Sequence, residues 1–188
     1  MSFKDAMKNP LFIGDQINKV AEAATNTLVV NFVLSIGTNW YHFQIFSIVL
    51  ISMIMGIIIG NKSEKIKEFS TKNFKTLMHA EAAARIIVAI LTVMTGSPFI
   101  YVITSIAIVP FSKVQSVGVI CIADDLVKDK KSFNIAKEAY SPYIYIVGVI
   151  VGFFLNNIIN GPMAFAILCF SEVANNYFYL KAFKALKE

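Results

Sequence analysis

Charged residues are scarce in this chain of 188 residues. They make up 15% of the sequence, whereas 56% of the residues are hydrophobic. Soluble domains usually carry about 25% charged residues, so the composition excludes an ordinary soluble domain and favours a polytopic membrane protein. The net charge of +5 does not indicate nucleic-acid binding, because the lysines lie in short segments between apolar runs.

Motifs for metal, disulfide or nucleotide chemistry are also missing. The two cysteines, Cys121 and Cys169, lie within apolar runs, and the two histidines lie in different segments with no HxxxH or CxxC pattern. The chain has no GxxxxGK[ST] loop, so we do not expect it to hydrolyse ATP itself. No nucleophile and base stand in a catalytic arrangement. We therefore predict a protein that is not an enzyme and uses no cofactor or metal.

Long apolar runs make up most of the remaining sequence. Six of them are long enough to cross about 30 Å of hydrocarbon at about 1.5 Å per residue. The predicted spans are Leu11–Ser35, His42–Gly60, Phe74–Thr95, Pro98–Ile122, Ser141–Ile158 and Met163–Phe183. The sequence thus predicts an all-α protein in which residues 1–188 form a single six-helix transmembrane domain.

Lysines occur on only one side of this predicted topology. They lie in the N-terminal segment, in the connections 61–73 and 123–140, and in the tail. The connections 37–41, 96–97 and 160–162 contain no Lys or Arg. By the positive-inside rule, this asymmetry predicts a multi-pass protein of the cytoplasmic membrane with both termini in the cytoplasm.

Small residues predict where helices approach one another closely. Gly148 and Gly152 form a GxxxG pair in the fifth predicted span, and Gly56 and Gly60 form another at the end of the second. Without a side chain at these positions, a neighbouring helix can come into backbone contact.

Several short patterns follow one another along the chain. They are Ile13-Gly14-Asp15 with Glu22 and Asn26, then Gly56, then Ala84-Arg85-Ile86, then Ala123 to Val127, and finally Ala136 to Gly152. In this order they resemble the first half of major facilitator superfamily transporters, especially the bacterial efflux branch. The resemblance implies two inverted three-helix repeats, residues 1–95 and 98–188. It also places Glu22 at the position where such transporters often carry an acidic residue, and it matches Arg85 to the arginine in the family's third span.

The chain departs from that family in two motifs and in length. The family's Gly-x-x-x-Asp-Arg signature is replaced by Gly56 to Asn61, which lacks the Asp and Arg, and Gly148 is followed by Val149 where antiporters have Gly-Pro. Family members usually have twelve spans in two halves, with the site between the halves. A single half implies pairing with a copy of itself as a C2 homodimer, or with a second half-transporter.

Glu22 is the first candidate for a substrate- or proton-binding residue, because ionisable groups at mid-span are functional candidates by default. Glu22 and Asn26 are spaced i, i+4 on one helix face, which suits a protonatable site facing a central cavity. The alternative is a structural ion pair of Glu22 with Lys19 or Arg85.

Two further groups of polar residues lie near mid-span. Glu81 and Arg85 are spaced i, i+4, which favours an intrahelical pair, although Arg85 lies deep enough to meet an acid on another helix. Glu172 is the second candidate acid, and Asn175 follows it by three residues. Arg85, Glu172 and Asn175 therefore join the predicted site.

The leading hypothesis is a secondary transporter subunit that moves a small solute as a homodimer, with Glu22 or Glu172 carrying the proton if transport is coupled. The alternative is a substrate-binding membrane subunit of an ATPase-driven vitamin or metal importer, which also has six spans. Such subunits dock through small residues spaced i, i+4 on the first helix, where this chain has Ala21 and Thr25. A third class is an immunity or assembly protein. The expected partners are the lipid bilayer, a second half and a small-molecule substrate, with no nucleic acid.

Overall fold

The computed structural model describes residues 3–127 and 130–185, and this part of the chain is all-helical with no strand. A single-turn helix is followed by seven longer helices. The helices are α1 (Phe3–Ala6), α2 (Pro10–Leu34), α3 (Thr38–Asn61), α4 (Ser63–Lys72), α5 (Phe74–Thr95), α6 (Pro98–Leu126), α7 (Lys130–Leu155) and α8 (Gly161–Ala185). The prediction of an all-α protein is confirmed.

Helix ends follow from local sequence chemistry. The side chain of Asn9 accepts a hydrogen bond from the backbone N–H of Leu11 at 2.9 Å, and Pro10 occupies the first helical position of α2. Gly96 ends α5 in the left-handed conformation, with φ of 61°, where residues with a side chain are disfavoured. Pro98 then begins α6.

Each predicted span corresponds to one long helix, and the third agrees at both ends. At the short turns, α3 begins at Thr38 rather than at His42, and α7 ends at Leu155 rather than at Ile158. The largest differences lie in the lysine-rich connections. The connection predicted over 61–73 contains the helix α4, and α7 begins at Lys130 rather than at Ser141. The start of α7 is polar, so hydropathy does not detect it, but Phe133 and Ala136 are buried against the rest of the chain. Residues 128 and 129, in the second of these connections, lie outside the described part.

Four helices are long and apolar enough to cross a membrane by length and composition. They are Thr38–Asn61, Phe74–Thr95, Pro98–Asp124 and Phe133–Leu155. The helices α2 and α8 contain 25 residues each and are not among these four. Membrane spanning by α2 and α8, and hence the total of six spans, stays a prediction.

The helices α2 and α8 pack along each other in opposite directions. Near the start of α2, Gly14 lies against Asn175 and Phe178 of α8, and a Cβ on Gly14 would lie 2.5 Å from Oδ1 of Asn175. Near the other end, Phe32 lies against Gly161. The closest approaches therefore use glycines at both ends of this pair.

The helices α2 and α7 run parallel and in close contact. A Cβ on Gly148 would lie 2.6 Å from the Cβ of Ala23, and Gly152 lies directly against the backbone of Ala24. The predicted close approach at this GxxxG pair therefore occurs within the chain. Gly56 and Gly60 have no described atom within 4 Å of where a Cβ would stand.

The pattern of helix pairs repeats along the chain. α2 contacts α7 and α8, α6 contacts α3 and α5, and α5 contacts α8. If α2 is exchanged with α6, α3 with α7 and α5 with α8, the same set of helix pairs results. α3 and α6 also run parallel, as α2 and α7 do. Near the start of both helices Trp40 lies against Phe99, and farther along Gln44 donates a hydrogen bond to Ser105 at 2.7 Å.

Consecutive long helices alternate in direction, so the molecule has two distinct ends. We call the end with the lysine-rich connections the lysine end, and the end with the three short turns the turn end. Apolar clusters are buried at both ends: Phe12, Phe133 and Val127 belong to one at the lysine end, and Val29, Ala89 and Phe165 to one toward the turn end. Polar side chains lie between them.

Candidate functional site

The ion pair of Glu81 and Arg85 lies at the centre of the helices. Arg85 donates hydrogen bonds from Nε and Nη2 to Oε1 of Glu81 at 3.0 and 2.8 Å. Ser112 donates to the same oxygen at 3.1 Å, and Asn176 donates to Oε2 at 3.0 Å. Glu81 is only 2% exposed, so these four hydrogen bonds compensate a carboxylate that would otherwise be costly to bury. The predicted intrahelical pair is present.

Glu172 connects this ion pair to α2. Its Oε2 lies 4.0 Å from Nη2 of Arg85, and its Oε1 accepts a hydrogen bond from Asn18 at 3.2 Å. Oδ1 of Asn18 in turn accepts a hydrogen bond from Ser171 at 2.9 Å. Glu172 is thus less completely satisfied than Glu81, because its interaction with Arg85 exceeds hydrogen-bond length.

Gln115 extends the arrangement toward the lysine end. Its Nε2 donates to Oδ1 of Asn176 at 3.1 Å and lies 2.9 Å from the sulfur of Met78. Side chains from α2, α5, α6 and α8 are thereby linked. We call the set the polar network, and its members are Asn18, Glu81, Arg85, Ser112, Gln115, Ser171, Glu172 and Asn176.

Two cavities lie on opposite sides of the Arg85–Glu172 contact. The turn-side cavity has a volume of about 300 Å³ and is lined by Asn18, Glu22, Tyr101 and Phe165, among others. The lysine-side cavity has a volume of about 220 Å³; its other lining residues include Gln115, Asn175 and Tyr179.

Arg85 and Glu172 are the two residues that line both cavities. Glu22 lines only the turn-side cavity, and Glu81 lines only the lysine-side cavity. The Arg85–Glu172 contact is therefore the boundary between the two spaces.

The structure brings together four of the five predicted site residues. Glu22, Arg85 and Glu172 line the turn-side cavity, and Asn175, which is 6% exposed, lines the lysine-side cavity with Arg85 and Glu172. Asn26 is exposed and lines a third cavity of about 350 Å³ between α2 and α7. The i, i+4 spacing of Glu22 and Asn26 therefore does not bring them to one cavity.

The structural ion pairs considered for Glu22 do not form within the described residues. Lys19 instead lies 3.4 Å from Asp15 and donates a hydrogen bond to Ser141 at 2.9 Å. Arg85 pairs with Glu81. Glu22 is exposed and has no hydrogen bond or ion pair in this part of the chain.

Sequence reasoning missed several members of the polar network. Asn18 lies one turn before Glu22, and Ser171 directly precedes Glu172, so both positions offered a signal. Ser112 and Gln115 are polar residues within an apolar helix, which is a weaker signal. These residues meet because four helices pack together, and the spacing of residues along one helix does not predict that packing. The described residues contain no group of three His, Cys, Asp or Glu that could hold a metal ion.

No protein-family model, curated protein or solved structure matches the chain significantly. The resemblance to the major facilitator superfamily therefore stays a prediction.

Proposed function

We propose that the chain is a subunit of a secondary transporter of the cytoplasmic membrane, related to one half of a major facilitator transporter. In this proposal α2, α3, α5, α6, α7 and α8 all span the membrane, both termini are cytoplasmic, and two copies pair around a shared path. The subunit moves a small solute, and a proton is the candidate coupling ion.

The polarity of α2 and α8 is compatible with spanning, because much of it faces inward. Twenty-five residues extend about 37 Å, enough to cross the hydrocarbon core. Asn18 of α2 and Ser171 and Glu172 of α8 bond to one another, and α5, α6 and α7 cover other sides of this pair. Polar residues in membrane helices typically face the bundle interior or a cavity in this way.

The repeated pattern of helix pairs supports the inverted-repeat arrangement. Transporters built from inverted repeats place equivalent helices in equivalent contacts. Here the repeats would be α2, α3 and α5 within residues 1–95, and α6, α7 and α8 within residues 98–188. Each first helix pairs with the second and third helices of the other repeat.

The observation that carries the transport proposal is that Arg85 and Glu172 alone among the described lining residues face both cavities. A transporter needs a site that is reached from one side or the other, with a barrier between the two. The Arg85–Glu172 contact supplies such a barrier, and its length of 4.0 Å leaves Arg85 free to tighten on either carboxylate.

The same geometry favours Glu172 over Glu22 as the proton carrier. A carried proton must reach its acceptor from both sides, and Glu22 lines only the turn-side cavity. Glu81 is already engaged in four hydrogen bonds from Arg85, Ser112 and Asn176. Protonation of Glu172 would leave Arg85 with Glu81 alone, and loss of the proton would draw Arg85 toward Glu172. Glu22 is then left to contact the solute.

The exposed polar residues of α2 support pairing with a second copy. Glu22 and Asn26 are exposed in the isolated subunit, and polar groups near mid-span are costly unless water or protein covers them. A second copy placed against this face would turn it toward a water-filled path. The importer alternative is less well supported, because Thr25, at the docking spacing, is fully buried within the chain.

The test is proton movement driven by solute in proteoliposomes. Purified protein is reconstituted with a pH-sensitive dye inside, and candidate solutes are added one at a time. For any solute that moves protons, Glu172→Gln should abolish the pH change while exchange of labelled solute for unlabelled solute continues. Glu138→Gln, an exposed acid of α7 outside both cavities, is the matched control and should behave as the wild type.

Two outcomes would contradict this proposal. Unchanged proton movement in both Glu22→Gln and Glu172→Gln would show that these acids are structural. Stoichiometric co-purification with an ATPase would favour the importer. Native mass spectrometry tests the pairing, since a homodimer has twice the 20.9 kDa mass of the subunit.

A further inference from the structure

The basic charge of the lysine end is concentrated around α4. The connection 61–73 contains four lysines and two glutamates, so this segment has an excess of positive charge. The other long connection, residues 123–140, contains four lysines and four acidic residues and is balanced. Topology alone does not explain this difference, because both connections lie at the same end.

One face of α4 is fixed against α6. Ser70 is fully buried, and its Oγ donates a hydrogen bond to the carbonyl oxygen of Val114 at 2.8 Å. Gly118 lets the helices approach, since a Cβ there would lie 2.6 Å from Oγ of Ser70. The orientation of α4 about its own axis is therefore set by this contact.

With that face fixed, Lys65, Phe69 and Lys72 share one side of α4. At about 100° per residue they fall within an arc of roughly 60°. We call these three residues the α4 flank. Phe69 is 52% exposed, and both lysines are exposed with no ion pair to a described residue. Glu68 lies about 40° beyond Lys72 on the helix surface and Glu64 about 80° beyond it. Neither glutamate forms an ion pair with a flank lysine within the described residues.

We propose that the α4 flank binds an anionic phospholipid of the surrounding leaflet. Lys65 and Lys72 bind the phosphate of the headgroup, and Phe69 enters the boundary between headgroups and acyl chains. An exposed aromatic ring between lysines is typical of helices that lie in the membrane interface. The inference rests on the membrane placement of α3 and α5 in the proposed function, but not on transport or dimerisation.

The position of α4 favours a lipid over an acidic protein as the partner. α4 begins two residues after the end of α3 and ends two residues before the start of α5. The outer surface of α3 is apolar and open, with Met53 63% and Ile57 64% exposed. In the proposed topology that surface contacts hydrocarbon down to the start of α4, so the flank lies at the depth of the headgroups.

The test compares lipid binding to the full chain by native mass spectrometry in a mild detergent. Phosphatidylglycerol and phosphatidylcholine are titrated separately against the wild type and two double variants. Lys65→Gln/Lys72→Gln removes the flank lysines, and Lys67→Gln/Lys131→Gln removes the same charge from other exposed positions of this end. Circular dichroism checks that all three proteins have the same helix content.

We expect the wild type to prefer phosphatidylglycerol, and the flank variant to bind it about 30-fold more weakly, as two lysines at an anionic surface imply. The control variant should lose clearly less affinity than the flank variant, because its two lysines lie outside the α4 flank. Equal losses in both double variants, equal binding of phosphatidylcholine, or complete displacement by free glycerol phosphate would overturn the proposal. If the chain is instead extracted from cells without detergent, the membrane placement itself is wrong, which separates that failure from a failure of the lipid site.

Discussion

The guanidinium of Arg85 lies 4.0 Å from the carboxylate of Glu172 while it donates two hydrogen bonds to Glu81. One cation thus serves two acids, and it binds the more deeply buried acid more tightly. The polar network thus contains two carboxyl groups and one cation between four helices. That imbalance makes the Arg85 contacts the most informative place to perturb the protein.

Removing Arg85 should destabilise the fold strongly. Arg85→Ala leaves the carboxylate of Glu81 buried without its cation, which we expect to lower the free energy of unfolding by about 3–5 kcal/mol. Glu81→Leu/Arg85→Leu should be less harmful than Arg85→Ala alone, because it removes both charges. Thermal unfolding in detergent, followed by circular dichroism, measures the effect. Lys113→Ala, on the exposed surface of α6, is the control and should change little.

The two GxxxG pairs should respond differently to alanine. Gly148→Ala places a Cβ 2.6 Å from Ala23 and from the carbonyl oxygen of Val20, so α2 and α7 must separate, at about 1–3 kcal/mol. Gly56→Ala meets no described atom within 4 Å, and should be neutral or stabilise by roughly 0.5–1 kcal/mol through helix propensity. Midpoints of thermal unfolding give the comparison. Similar destabilisation by both variants would mean that Gly56 also packs against another helix.

Two fully buried threonines form a matched pair for testing polar burial. Thr25 donates a hydrogen bond to the carbonyl oxygen of Ala21 at 2.6 Å, whereas the hydroxyl of Thr92 has no partner among the described residues. Thr92→Val should therefore be neutral or stabilising, because it removes an unsatisfied buried group. Thr25→Val should lower stability by about 1 kcal/mol. The opposite order of unfolding temperatures would show that Thr92 has a partner in solution.

The two native cysteines report on the turn-side cavity. Cys169 lines this cavity next to Glu172, whereas Cys121 lies on α6 outside it. If the proposed transport function is right, a solute that the protein moves should occupy the cavity. In a Cys121→Ser background, this solute should slow alkylation of Cys169 by a small maleimide several-fold. In a Cys169→Ser background, the same solute should leave the reaction of Cys121 unchanged. Protection of both cysteines would indicate a general conformational change rather than occupation of the cavity.

Hydropathy predicted the long helices well and the polar helical segments poorly. Phe74–Thr95 agrees at both ends, because polar residues, Gly96 and Pro98 mark its limits. The helix α4 and the first part of α7 were missed because they are polar helices at the lysine end. The hydrogen bond of Ser70 to Val114, 44 positions away, holds α4 against α6, and a search for apolar runs does not detect such a contact.

The sequence predicted several residues of the candidate site but not how they are arranged. An acid or arginine within an apolar run stands out in any sequence, so Glu22, Arg85 and Glu172 were found. Their partners were not, because Asn18, Ser112 and Asn176 acquire their roles through contacts between different helices. For Asn26 the prediction was wrong. Its i, i+4 spacing from Glu22 predicted that both residues face one cavity, but Asn26 lines a different cavity.

By itself, the sequence determined the helical class, the apolar segments and the one-sided distribution of lysine, because these depend on composition and on residues close together in the chain. Only the tertiary structure decided which polar groups meet, that Arg85 and Glu172 face both cavities, and which glycines are used within the chain. The physical reason is that the spacing of residues along a helix determines which side chains share a face. It does not determine which other helix packs against that face. Packing of α2 and α8 with their neighbours makes that choice.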